Sequence, residues 1–290
     1  MCTRLVIKHN DVFVLLLALV HMYASNSIAG AENMALYKVE GIVLRRRILG
    51  ESDRIVTIFG RNYGKISAVA KGARKPKSRL GGRTEPFIYA NYLLAEGRNL
   101  DIITQAELID GLPAVRGDLY LTAMATYFIE LVDSFTEARE AHDDIFDLLW
   151  AVLRLLEGGA EPDLMARIFE VRLMSLLGYR PQLERCARCS ALVGSAWRFD
   201  VSIGGLLCRE CRPSAAHQVT VSADAVRLMR LLLITDIGQL VRAGISEKLL
   251  IEIERVMGAF IDYRSESRIR SREFLMQVRE ERKNKRAVTG

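Results

Sequence analysis

The sequence has no G-x-x-x-x-G-K-[ST] loop, no G-x-G-x-x-G after a strand and no G-x-S-x-G elbow. These absences remove the common phosphate-cradling, dinucleotide-binding and serine-hydrolase devices. Histidine is scarce: His9, His21, His142 and His217 are scattered, and none has a partner at ligand spacing. Asp143-Asp144 reads as a helix start, not a catalytic pair. Glu51 and Asp53 sit in a turn before a strand, where a carboxylate hydrogen-bonds to backbone. No constellation supports catalysis, so the chain reads as a binding protein and not an enzyme. Internal repeats and low-complexity tracts are also missing.

The 290 residues are enough for one large or two modest domains. Half are hydrophobic and 26% are charged, the composition of a soluble globular protein. The net charge of +6 is unevenly spread. From Arg61 to Arg83 there are eight basic residues and no acidic one. Between Asp101 and Glu170 fifteen acids face four bases, and Arg264–Arg286 turns basic again with nine against four. A basic block beside an acidic middle suggests a polyanion-binding region on a scaffold. The competing reading is a loop that lysines merely keep soluble.

Residues 1–33 form a leader with three readings. Arg4 and Lys8 precede an apolar run, Val12–Val20, and Ala29-Gly30-Ala31 resembles a cleavage site, the outline of a secretory signal. The run is shorter than the roughly 20 apolar residues a membrane span needs. The reading favoured here is that Met34 is the true start, because the body that follows has the marks of a cytoplasmic protein.

From Tyr37 to about Asp110 the chain reads as strands at 38–46, 53–59, 65–71, 86–95 and 100–108, separated by glycine turns. Five strands without a convincing helix suit an OB-fold, with an SH3-like barrel as competitor. The segment Ala73–Arg83, broken by Pro76 and Gly81-Gly82, is a connection whose basic side chains should face solvent. After Pro113 the apolar period becomes helical, over Leu119–Phe135, Ile145–Leu156, Leu164–Leu177, Ser222–Leu232, Glu247–Tyr263 and Ser271–Lys285. Asp144 and Asp163 fit N-caps or first turns, and Gly158-Gly159 and Gly178 fit helix ends.

Of five cysteines, Cys2 stands alone and four form two C-x-x-C pairs, Cys186/Cys189 and Cys208/Cys211. In a reduced compartment that pattern points to metal, not disulfides. Four thiolates on two knuckles suit one tetrahedral, structural zinc with no open coordination position. Trp197–Phe199 and the Gly204-Gly205 turn fit a hairpin between the knuckles. A thioredoxin-like redox pair would need only one C-x-x-C at a βα junction. Arg185, Arg188, Arg209 and Arg212 flank the cysteines and either offset their charge or touch phosphate.

Val39–Arg46 (VEGIVLRR), Gly50–Arg54 (GESDR), Gly64–Ile66, Lys71–Gly82 (KGARKPKSRLGG) and Gly97–Leu108 (GRNLDIITQAEL) together resemble the N-terminal part of the bacterial RecO family. Phe169–Pro181 (FEVRLMSLLGYRP), Gly204–Cys211 (GGLLCREC) and, more weakly, Ser271–Leu275 (SREFL) extend the resemblance over residues 35 to 276. It implies an α+β multidomain protein. An OB-fold β-barrel (34–112) would be followed by an α-helical domain (113–285) with an inserted four-cysteine zinc element (183–213). It also implies a cytoplasmic, nucleoid-associated recombination mediator. Such a protein would bind single- and double-stranded DNA, anneal strands and, with RecR, help load RecA on DNA coated by the single-stranded-DNA-binding protein SSB, with no membrane role. An RNA-binding or transcription accessory protein with the same barrel and cysteines is the alternative.

Phosphate contacts need cations that reach a backbone without reading bases. Arg74, Lys75, Lys77, Arg79 and Arg83 on the connection suit that role, with Lys65 and Lys71 on the third strand. Arg45, Arg46 and Arg47 would extend the track. Tyr63, Phe87, Tyr89 and Tyr92 are the aromatic candidates for base stacking, and alternation puts Tyr92 on the face opposite Phe87 and Tyr89.

Overall fold

The computed structural model describes residues 35–192, 197–212 and 217–289; the leader and its apolar run lie outside them. Five strands form a closed barrel: β1 (Leu36–Leu49), β2 (Asp53–Gly60), β3 (Gly64–Ala70), β4 (Tyr89–Ala95) and β5 (Asp101–Asp110). Their order around the barrel is β1-β2-β3-β5-β4, with β3 parallel to β5. A simple meander would set β3 beside β4, so this order settles the barrel as OB-like. Inward positions alternate as Val39, Val43, Val56, Ile58, Ile66, Ala68, Tyr92 and Leu94, all buried.

The fourth strand begins later than the pattern of 86–95 suggests. Phe87 has φ 69, a left-handed conformation no β-strand contains. Its N–H donates to Val43 O, while Val43 N donates to Ile88 O, so the chain turns there before entering the sheet.

Helices follow: α1 (Pro113–Gly117), α2 (Leu119–Phe135), α3 (Asp143–Glu157), α4 (Pro162–Leu176), α5 (Ala223–Ile234), α6 (Ile237–Arg242), α7 (Glu247–Arg264) and α8 (Arg270–Thr289). Asp143 and Asp144 occupy the first turn of α3 and Asp163 that of α4, where acids favour the helix dipole. The α4 cap itself is Glu161, whose carboxylate accepts from Asp163 N and Leu164 N. Gly159 and Gly178, both at φ 84, end α3 and α4. No helix of the described residues is long and apolar enough to cross a membrane.

Barrel and helices share one core. Ile42, Leu44, Phe59, Phe87 and Tyr89 leave the barrel wall and bury among helical residues. The Tyr89 and Trp150 rings lie 4.3 Å apart, and Phe59 and Phe146 6.1 Å. At the β2–β3 turn the approach is closest. A side chain at Gly64, φ 65, would drive its Cβ into the Glu140 carbonyl, far inside van der Waals contact.

A buried polar knot ties α2, α4, α7 and α8. Arg167 Nη2 lies 2.9 Å from Glu170 Oε1, which also accepts from Tyr127 Oη at 2.8 Å. Arg279 joins Glu254 and Asp163, holding α8 down. Burial pushes the Glu170 carboxyl up to about 7, against the pull of Arg167 and the Tyr127 hydroxyl. Breaking one partner of such a pair strands a charge, whereas replacing both need not cost stability. Glu170→Ala should therefore lower unfolding free energy by about 3–5 kcal/mol in a denaturant titration. Arg167→Met with Glu170→Leu should recover most of that loss; equal losses would count against the argument.

Candidate DNA interface and metal centre

The β3–β4 connection is exposed, as its composition suggests, but it is anchored and not a free tether. Gly72 N donates to Asp53 Oδ1 at 2.7 Å, and this backbone bond, with Ser52 Oγ, holds the Asp53 carboxyl below its ordinary value. Arg74 Nη1 donates to Gly50 O and Glu51 O at 3.1 and 2.8 Å, and Arg74 N to Ser52 O at 2.9 Å. At the far end Arg54 Nη1 reaches Gly81 O and Glu85 Oε1. Leu80 packs against the barrel core, and Tyr92 Oη donates to Arg83 O at 2.9 Å from inside the barrel. Arg54 and Asp53 were not singled out as site residues from sequence; only their register beside the connection reveals the role.

This anchoring divides the nine proposed cations. Lys71, Lys75, Lys77 and Arg79 are exposed, and their side chains make no ion pair among the described residues. Arg83 is half-buried and donates to Arg79 O. Arg74 serves the hairpin tip, and Arg46 pairs with Glu85 at 3.0 Å. All seven gather where the β1–β2 hairpin and the connection meet. Lys65 and Arg45 do not join them in the same way. Lys65 starts β3, roughly 20 Å along that strand from Lys71. Its ammonium lies 2.5 Å from Asp133 O and 3.3 Å from Asp133 Oδ1. Arg45 bonds Thr57 Oγ1 and pairs with Asp133 Oδ2 at 3.2 Å. These two cations bind the barrel to α2.

The aromatic candidates divide too. Phe87 and Tyr89 are buried toward the helices and Tyr92 inside the barrel, so stacking bases on them would require opening the core. Tyr63 is exposed, its ring 5.3 Å from that of Tyr37.

The four cysteines converge. Their sulfurs all lie within 4.8 Å of one another, with Cys189 Sγ and Cys208 Sγ 3.7 Å apart. A tetrahedron with metal–sulfur bonds of about 2.3 Å has edges of about 3.8 Å, so the donor set fits a tetrahedral ion. Between the knuckles lie β6 (Trp197–Asp200) and β7 (Gly205–Leu207), an antiparallel hairpin turning at Gly204, with β8 (Gln218–Val221) on the other side of β6. Burial opposes the Cys186 thiolate, but N–H groups of Cys208, Cys189 and Arg188 outweigh it and bring that thiol down to about 6. The neighbouring thiols Cys189 and Cys208 push Cys211 up to about 12. Such crowding is what a divalent cation relieves. Arg185 donates to Ser190 O and Arg188 to Cys211 O, so both brace the knuckles through their carbonyls.

An OB-like barrel, a helical body and a four-thiol knuckle that can hold a metal ion together define the class of this protein. The family model for the N terminus of recombination protein O matches residues 34–112, and that for its C terminus matches residues 116–273. The chain belongs to the RecO family. It is 36% identical over 242 residues to the DNA repair protein RecO of Pelotomaculum thermopropionicum, covering 83% of this chain and 94% of the relative. The RecO proteins of Symbiobacterium thermophilum (37%; 86% of this chain, 100% of the relative) and Bacillus subtilis (32%; 84% and 95%) agree.

The anchoring bonds have a testable consequence. Arg74→Ala removes two side-chain hydrogen bonds to the hairpin tip. Amide hydrogen exchange across residues 71–83 should then quicken roughly tenfold, with the barrel strands unchanged. Unchanged exchange in the connection would show that Arg74 does not hold it.

Proposed function

We propose that this chain is a cytoplasmic, nucleoid-associated recombination mediator that binds single- and double-stranded DNA through the hairpin and connection of the barrel. It anneals complementary strands without ATP and acts with RecR to help load RecA on SSB-coated DNA. The observation that carries the reading is the array of Lys71, Lys75, Lys77 and Arg79, exposed and without an ion pair among the described residues, on an anchored segment. Unneutralised cations held at fixed spacing can replace counterions along a sugar–phosphate backbone. They also lower the repulsion between two strands brought together, which is what annealing requires. Family membership supports the repair role, since the relatives are named as DNA repair proteins.

Changing Lys75, Lys77 and Arg79 together to alanine should flatten the slope of log K against log[salt] for a single-stranded oligonucleotide by about 2 to 3. Annealing of SSB-coated complementary oligonucleotides should slow in parallel. An unaltered slope would remove the connection from the interface; a preference for RNA with no annealing would move the function to RNA or transcription.

We further infer that Cys186, Cys189, Cys208 and Cys211 hold one structural Zn²⁺. All four donors are thiols, the ligand set zinc favours, and the set leaves no position for a reacting water. Bound there, the ion would supply only cross-linking of the two knuckles. Metal analysis of protein expressed from Met34 should give about one zinc per chain. Cys208→Ser should lose it and expose residues 183–213 to protease, while the barrel stays folded. A full complement of zinc in that variant would place the ion elsewhere.

A further inference from the structure

The tip of the β1–β2 hairpin carries a feature that phosphate binding does not use. Ile48 is 69% exposed and Leu49 39%, directly after Arg45, Arg46 and Arg47. Beyond Val43, which still exchanges backbone hydrogen bonds with Phe87 and Ile88, β1 pairs with β2 alone, so this stretch is an edge strand. Alternation puts Arg46 and Ile48 on one face and Arg47 and Leu49 on the other. Each face thus presents a cation followed by an aliphatic side chain. The register shift between Val43 and Arg45 is a bulge, a device that re-aims side chains at a strand end.

The tip is both uncovered and fixed. Around Gly50, at φ 59, no atom of a described residue beyond its two chain neighbours lies within 4 Å of where a Cβ would stand. Yet Arg74 bonds the carbonyls of Gly50 and Glu51, so Ile48 and Leu49 are held in register with the cations of the connection. A surface that meets phosphate alone has no use for two large aliphatic groups. A seat for a protein partner calls for an apolar patch wider than two side chains among arginines. Aliphatic side chains flanked by cations are the means by which proteins part stacked bases.

We propose that Ile48 and Leu49 insert between bases of a single strand whose phosphates are held by the connection. They would unstack it and turn base edges outward for pairing. The proposal rests on the DNA-binding reading above and assigns base contact to aliphatic residues, in place of the buried aromatics.

The test uses the full chain and an oligodeoxynucleotide with 2-aminopurine among adenines, whose fluorescence rises when its neighbours unstack. The wild type should raise the signal at saturation. Ile48→Ser with Leu49→Ser should lose most of that rise and bind about three- to tenfold more weakly, around the low end for a base stacked on an aromatic ring. The salt slope should not change, because no phosphate contact is removed. Both positions are exposed, so the melting temperature should hold. Ile48→Phe should keep the rise. An equal rise in the serine variant overturns the proposal, as does a wild type that binds without any rise. A wild type that binds no DNA sinks the underlying reading instead, and the salt titration tells these apart.

Discussion

Five cations within the eleven residues from Ala73 to Arg83 repel one another, and the fold has to hold them without neutralising them. It does so chiefly through backbone. Asp53 takes the Gly72 N–H, Arg74 takes the carbonyls of the neighbouring hairpin, and Arg54 takes the Gly81 carbonyl. The carboxylates that come near, Asp53 and Glu85, are committed to the two ends of the segment. The cations between those ends, Lys75, Lys77 and Arg79, make no ion pair among the described residues. Hydrogen bonds to charged groups contribute about 1.5–3 kcal/mol each, enough together to offset the mutual repulsion of partly hydrated lysines.

The second requirement is that the barrel present this end outward. Its wall residues Phe59, Phe87 and Tyr89 enter the helical core, and Lys65, Arg45 and Arg139 fasten the other side. Arg139 reaches the fully buried Asp101, which also accepts from Tyr37. Two cations that the sequence offers as DNA contacts, Lys65 and Arg45, are thus joined with Arg139 in orienting the barrel.

How much of this could be read from the sequence depended on how local the signal was. Alternation and glycine turns located the five strands, and a 3.6-residue period located α2 to its ends, because those patterns are set by nearest neighbours. The cysteine spacing led to four converging sulfurs for the same reason. Lys65 and Lys77 look alike in the sequence. What separates them is Asp133, 68 residues away from Lys65 and brought there only by the joint of barrel and helix. Phe87 shortened the fourth strand against the reading of 86–95, because its positive φ has no mark in the sequence, although it shares the face of Tyr89 as alternation suggested. The exposed pair Ile48 and Leu49 fell outside the strand read at 38–46, since nothing local says that β1 runs on to Leu49 along β2 after its pairing with β4 ends at Ile42.

The acidic middle of the chain then acquires a physical meaning. Fifteen acids against four bases between Asp101 and Glu170 would repel DNA if they formed a free surface. Much of that charge is turned inward or used on backbone. Asp101, Asp110, Asp133, Asp147, Asp163 and Glu170 each pair with an arginine or lysine. Glu130 accepts the first N–H groups of α8, Glu157 those of α1, and Asp118 caps α2. Their partners include Arg61 and Lys65 from the basic block itself. Pairing consumes acids on the helical side together with those cations of the barrel that face it. Within the basic block from Arg61 to Arg83, the cations left without an ion pair among the described residues lie on and beside the connection, so the charge this block presents follows from where its ion pairs form and not from the net charge of +6.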